Sequence, residues 1–259
     1  MNDILSPQEI DATTYKTLTD AWAAMMENDS TREENLKALL RDSKGRLLNY
    51  AYLPNQLVAK LLDPALNTLY IITKFAIANC DTGDNQIFTL VLVCLDGDYT
   101  PQAYFRAGIS LHAKVYIQGA KAQSLRPVVG DQVIPLELAE SWVAAWNLQG
   151  DQSELAPFFL SNEPAMVEPV LRKPLLGYQF EVGDFTKAWQ PHNQKESALW
   201  LCFDLHGRLG DGEDRPFNMF STTVTINTTP SDTIPDRITL SKAQTFYDIS
   251  RPCPPACLI

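Results

Sequence analysis

The side chains best suited to chemistry in this chain are thiols and an imidazole toward its C-terminal end. Cys253 and Cys257 stand four apart in Arg-Pro-Cys-Pro-Pro-Ala-Cys, and Cys202 and His206 stand four apart upstream. Together they form a candidate metal-ligating set, because zinc takes four Cys or His donors in tetrahedral geometry. The two terminal cysteines are also candidates for a redox pair or a disulfide. Geometry weighs against both uses. Cys202 and His206 alternate onto one face of the strand-like run 199–206, where a rise of about 3.3 Å per residue separates them by roughly 13 Å. One ion cannot bridge that gap at ligand distances of ~2.0–2.3 Å unless the strand is broken. The Cys253–Cys257 spacing differs from Cys-x-x-Cys and is stiffened by prolines, so without a sharp turn its Cα atoms stand too far apart for a disulfide. A docked structural tail is the plainer reading.

Asp204 beside His206 has the composition of a general-base pair, and equally that of the polar end of a strand. His112 and His192 belong to no ligand or triad pattern. The acidic turns at 81–84, 96–98 and 211–214 resemble calcium loops in composition only, since none supplies the twelve-residue ligand order ending in a bidentate glutamate. Asp and Gly are also what tight turns require of the backbone. The phosphate-loop, dinucleotide-fold, nucleophile-elbow and His-Glu-x-x-His signatures do not occur. The expectation is therefore no catalytic residue and no cofactor.

The elements that would have to position these side chains form a weak internal repeat. Each half opens on an amphipathic helix centred on tryptophan, Trp22 in the first, Trp142 with Trp146 in the second. The run Leu47-Leu-Asn-Tyr50-Ala-Tyr52 then matches Leu175-Leu-Gly-Tyr178-Gln-Phe180 without a gap. A short helix is predicted after each, over 54–62 and 182–189, with Asp184 as a capping residue in the second. Two strand-like runs joined by an acidic, glycine-containing turn follow in both halves: 69–77 with 87–95, and 199–206 with 217–226. Helices grouped ahead of antiparallel strands predict an α+β fold of two similar units, possessing separate or shared sheets. The first unit spans 1–108, a connecting segment 109–131, and the second unit with its Pro/Cys-rich tail 132–259. The stretch 113–118 in the connection and 237–240 near the end are predicted as further strands. The Pro-rich terminus is expected to continue no regular element. The aromatic residues at matching places, Trp22, Trp142, Tyr50, Tyr178 and Phe180, are assigned to the core.

At 259 residues, with 45% apolar and 10% aromatic side chains, the chain has ordinary globular composition and can bury enough surface to fold. Its net charge of −10 repels phosphate backbones and anionic lipid, which argues against nucleic acid and membrane surfaces as partners. The N-terminus lacks the basic and apolar regions of a secretory signal, and no apolar run approaches the ~20 residues of a membrane span. Five scattered cysteines form no disulfide framework, so a reducing, cytoplasmic setting is expected.

Two features together, the run from Leu53-Pro-Asn-Gln-Leu through the hairpin 69–95 and the tail Arg251-Pro-Cys-Pro-Pro-Ala-Cys257, resemble a group of small uncharacterised bacterial proteins. Those are about half this length, with helices, a strand hairpin and a Pro-Cys-Pro-Pro-x-Cys end. The resemblance implies a tandem of two such units and brings no activity or site residue with it. The second hairpin departs by being more polar, with Ser221, Thr222, Thr223 and Thr225. Taken together, the residues point to a non-enzymatic protein-binding or scaffold protein of adaptor or immunity type, with a basic partner favoured by charge. A metal- or thiol-dependent enzyme or regulator built on the C-terminal cysteines is the alternative.

Overall fold

A computed structural model describes residues 4–41, 45–81, 84–110, 114–116, 133–134, 136–149, 153–162, 172–189, 198–209, 216–227, 237–239, 246–247 and 251–253. Helix α1 (Ala12–Glu27) starts where the Asp11 carboxylate accepts the Thr14 N–H at 2.7 Å, which satisfies one of the orphan donors of a helix start. Its Trp22 and Met26, one turn apart, are fully buried. A second helix, α2 (Arg32–Leu39), packs behind it, and the strand β1 (Tyr50–Pro54) runs directly into α3 (Asn55–Leu61). The first hairpin is β2 (Tyr70–Asn79) with β3 (Gln86–Leu95), followed by β4 (Pro101–Arg106). The second half holds α4 (Leu136–Asn147), β5 (Gly177–Glu181), α5 (Val182–Trp189), and the hairpin β6 (Ala198–Leu209) with β7 (Pro216–Asn227). The fold is α+β, as the order of periodic segments requires.

Neither hairpin pairs with the strand that precedes the short helix of its own half. β1 lies against β6, with Tyr50 opposite Cys202 and Tyr52 opposite Trp200. β5 lies against β2, with Gly177 opposite Lys74 and Gln179 opposite Ile72. The seven-stranded sheet therefore runs 4–5, 108–110, β1, β6, β7, 246–247, 133–134, and the six-stranded sheet runs 251–253, β5, β2, β3, β4, 8–10. All pairings within these two sheets are antiparallel. Strand pairing thus crosses the connecting segment expected at 109–131 in both directions. The exchange is matched bond for bond at its root: the Phe75 N–H donates to the Leu176 carbonyl at 2.9 Å, and the Phe203 N–H to the Asn49 carbonyl at 2.8 Å.

The same bonds revise the sequence register. Tyr50 stands where Gly177 stands, not where Tyr178 stands, and a one-residue slip turns a strand's side chains to the other face. Tyr178 and Phe180 accordingly face the space between the sheets, as Ala51 and Leu53 do. Tyr50 and Tyr52 face outward and meet Trp200 with ring centroids at 4.5 and 6.0 Å. Between the sheets lies one apolar core, joined by contacts such as Phe88 with Phe203 at 5.6 Å. Trp146, rather than Trp142, does in the second half what Trp22 does in the first. The Trp22 indole N–H donates to the Leu175 carbonyl at 3.0 Å, and that of Trp146 to the Leu48 carbonyl at 2.7 Å. Each is a buried donor satisfied by the backbone just before the strand given up by the opposite half.

Two segments differ from expectation, and one pair of predicted strands is found joined. Residues 101–106 form the strand β4 beside β3. The segments 114–116 and 237–239, both predicted as strands, pair with each other in parallel. The Pro-rich terminus does continue a regular element: 251–253 pairs with β5, Pro252 opposite Tyr178. That strand is the sheet's edge, the one place where a residue without an N–H is tolerated. Among the described residues no helix is long and apolar enough to cross a membrane.

Candidate functional site

The thiol and imidazole candidates are not gathered into one place. Cys202 is central in β6, fully buried opposite Tyr50, and its thiol is pushed up to about 12, first by burial and then by the nearby Asp204 carboxylate. A thiolate, the form that binds zinc or attacks an electrophile, is strongly opposed there. His206 lies further along the same unbroken strand, opposite Met219, which preserves the separation of roughly 13 Å from Cys202. Cys253 belongs to the other sheet, opposite Gly177 at its edge. Cys257, His112, His192 and the acidic turn at 211–214 lie outside the described residues, and Asp184 is described in its backbone alone, within α5. Cys80 and Cys94 are buried. The Cys94 thiol donates to the Leu61 carbonyl at 3.6 Å and is pushed up to about 11 by burial. Among the described residues no three His, Cys, Asp or Glu side chains converge on a cation-sized space.

The acidic turns are used on their own backbone. Asp96 Oδ1 accepts the N–H groups of Asp98 and Thr100, both at 2.9 Å, while Oδ2 accepts from the Gln102 amide at 2.8 Å. Asp81 Oδ2 accepts the Ser6 N–H at 2.7 Å, and its other oxygen stands 3.8 Å from the Arg106 guanidinium. The Asp96 bonds are turn chemistry, as the residue types indicated, whereas Asp81 ties its turn to the chain near Ser6 and to Arg106.

What the Asp96 turn does build is an aromatic platform that the sequence did not single out. Folding the chain back through Asp96 places Tyr99 at φ 59°, a left-handed conformation that a bulky residue rarely adopts. Such strain is worth about 1–3 kcal/mol and is held by its surroundings. The Tyr99 ring stacks on Tyr70, the first residue of β2, with centroids 4.8 Å apart and planes 4° from parallel. Leu69, beside it, is 52% exposed and lies over Gly97, where a Cβ would come within 3.3 Å of the Leu69 side chain. Exposed acids surround the group: Asp98 in the turn, and Glu181 at the end of β5, directly opposite Tyr70. The only sequence signal was a tyrosine closing the run Asp96-Gly-Asp-Tyr99, where turn composition alone calls for small or polar residues.

The chain matches no protein-family model, no curated protein and no solved structure. Its function has to be argued from the chemistry of these surfaces.

Proposed function

We propose that the chain is a non-enzymatic protein-binding or scaffold protein, of adaptor or immunity type, acting in the cytoplasm on a basic protein partner. The observation behind this reading is the Leu69–Tyr70–Tyr99 platform with its rim of Asp98 and Glu181. A rigid aromatic pair beside an exposed aliphatic anchor has the make-up of an interface hot spot. Carboxylates around aromatic faces favour Arg and Lys, through charge-assisted hydrogen bonds and cation–π contact. The net charge of −10 adds long-range attraction for a basic surface. Descent from two copies of one unit, like the half-length proteins the sequence resembles, belongs to the same proposal and is supported by the reciprocal bonds of Phe75 and Phe203.

The test compares affinity capture from host lysate by the wild type, by Leu69→Arg and by Tyr99→Gly, the last of which keeps the turn while removing the ring. A stoichiometric partner of basic charge, released by raised salt and lost from both variants, is the expected outcome. A partner retained equally by all three proteins, or an acidic one, would overturn the assignment of this face.

A further inference from the structure

The six-stranded sheet carries a buried cation with no partner among the described residues. Lys74 lies in the middle of β2 and is only 6% exposed, although lysine is almost never buried unless paired. Among the described residues nothing accepts a hydrogen bond from its ammonium and no carboxylate pairs with it. Its stem is flanked by the apolar side chains of Ile72, Ala76 and Val91 on the same face. Burial lowers its pKa, which is the direction of a charge whose solvation has been taken away and not replaced. The ammonium is not among the fully enclosed polar atoms, which leaves its tip some contact with solvent.

The neighbours sharpen the imbalance. Across the strands, Gly177, Lys74, Val91 and Arg106 stand in one register row, and residues of one row share a face. Gly177 adds no side chain to this row, and its backbone packs closely on Thr73 and Lys74. On the far side of Val91, Arg106 places a second positive charge on this face. One of its amino groups donates to the Ser6 carbonyl at 2.7 Å, while its enclosed Nε has no acceptor. Among the described residues the only carboxylate paired with either cation is Asp81, 3.8 Å from the guanidinium. Gln179, two residues from Gly177 on the same face and 7% exposed, has an enclosed Oε1 with no donor. Among the described residues, an acceptor for Lys74 and a donor for Gln179 are thus both missing from one small region.

We propose that Lys74 anchors a binding site for a small oxyanion, a carboxylate or a phosphate group, with Arg106 adding a second positive charge and Gln179 accepting from a hydroxyl on the same ligand. The inference does not depend on the protein-docking reading, because the two use different side chains. Its test is thermal unfolding of the full chain titrated with inorganic phosphate and, separately, with lactate, at ionic strength held constant by chloride. A saturable rise in Tm is expected with one of them and identifies the class. Lys74→Met should weaken that ligand about tenfold or more, the loss of one charge-assisted bond, while Lys16→Met, at an exposed lysine, should leave it unchanged. Should the Lys74 variant fail to fold, amine acylation of the wild type, mapped by mass spectrometry, reads the same site. Lys74 labelling that falls when the ligand is added supports the site. No saturable shift with either anion, or labelling that ignores both, overturns it.

Discussion

Replacing Gly177 by alanine probes the strand exchange at its tightest point. Gly177 holds φ at +149°, and a Cβ built there would lie 2.0 Å from the Thr73 carbonyl oxygen and 2.9 Å from the Lys74 Cα. Both are backbone atoms in the middle of a sheet, so no flexible side chain can swing aside. The chain must leave this backbone conformation, at about 1–3 kcal/mol, and β5 must move by on the order of 1 Å to reach ordinary contact. That movement weakens the ladder around the bond from Phe75 to Leu176, where each hydrogen bond contributes about 1 kcal/mol. The sum is roughly 3–5 kcal/mol, among the largest effects a single substitution has.

At about 2–4 °C per kcal/mol for a chain of this size class, Tm should fall by roughly 6–20 °C. Gly183→Ala supplies the opposite sign: that residue lies in α5 with nothing within 4 Å of an added methyl. It should gain about 0.5–1 kcal/mol from the lower helix cost of alanine. Urea unfolding followed by tryptophan fluorescence and by circular dichroism measures both. A Gly177→Ala protein as stable as the wild type would refute the register of β5 on β2, since only that pairing brings the Thr73 carbonyl so close.

Two further outcomes follow from the same geometry. A protease site placed within 119–131 and cleaved in the folded protein should leave the two fragments eluting together at the intact size, because β1 and β5 each sit in the other fragment's sheet; separation without denaturant would contradict the exchange. Cys94 and Cys202 should resist thiol reagents until the protein unfolds, and Cys202→Ala should flatten the fall in stability above pH 9. The sign follows from linkage: folded thiols raised to about 11 and 12 keep their protons while the unfolded chain loses them from about 9, so stability drops as pH climbs through that window. A wild-type stability that is flat there, with no change in the variant, would refute it.

The fold class and most elements were legible because they rest on local pattern. Helical spacing at Trp22 and Met26, and the apolar runs on either side of the Asp81 and Gly210 turns, specify what each segment is. Partner choice was not legible, since the apolar face of β1 fits either hairpin and nothing local distinguishes them. The register of β5 was misread for a related reason. Matching Tyr50 to Tyr178 by residue type ignored that one ring points out, onto Trp200, and the other in, toward Phe75. The terminal strand at 251–253 was hidden by its proline, whose exclusion from sheets lapses at an edge. The thiol candidates were weakened correctly by spacing alone, whereas Lys74 gave no signal, because a lysine amid Ile71-Ile-Thr and Phe75-Ala-Ile reads as an outward-facing residue until the sheet face is known to be covered.

The exchange also bears on which of the two sheets works and which supports. At the corresponding place in the seven-stranded sheet, Cys202 stands where Lys74 stands, and Tyr50 where Gly177 does. There the pair is a buried neutral thiol and a ring packed on Trp200, with no charge at either of the two positions. In the six-stranded sheet the same two positions hold an ammonium unpaired among the described residues and no side chain at all. A buried charge without a partner is a standing cost, while an aromatic ring in its place would contribute packing. The difference is therefore hard to explain by stability, since the same scaffold shows the stable solution on its other sheet. Both surfaces argued to bind are also composite: Glu181 and Gln179 come from the second half, Tyr70, Tyr99 and Lys74 from the first. Neither surface is complete unless β5 is docked on β2, so each binding function requires the exchange that holds the halves together.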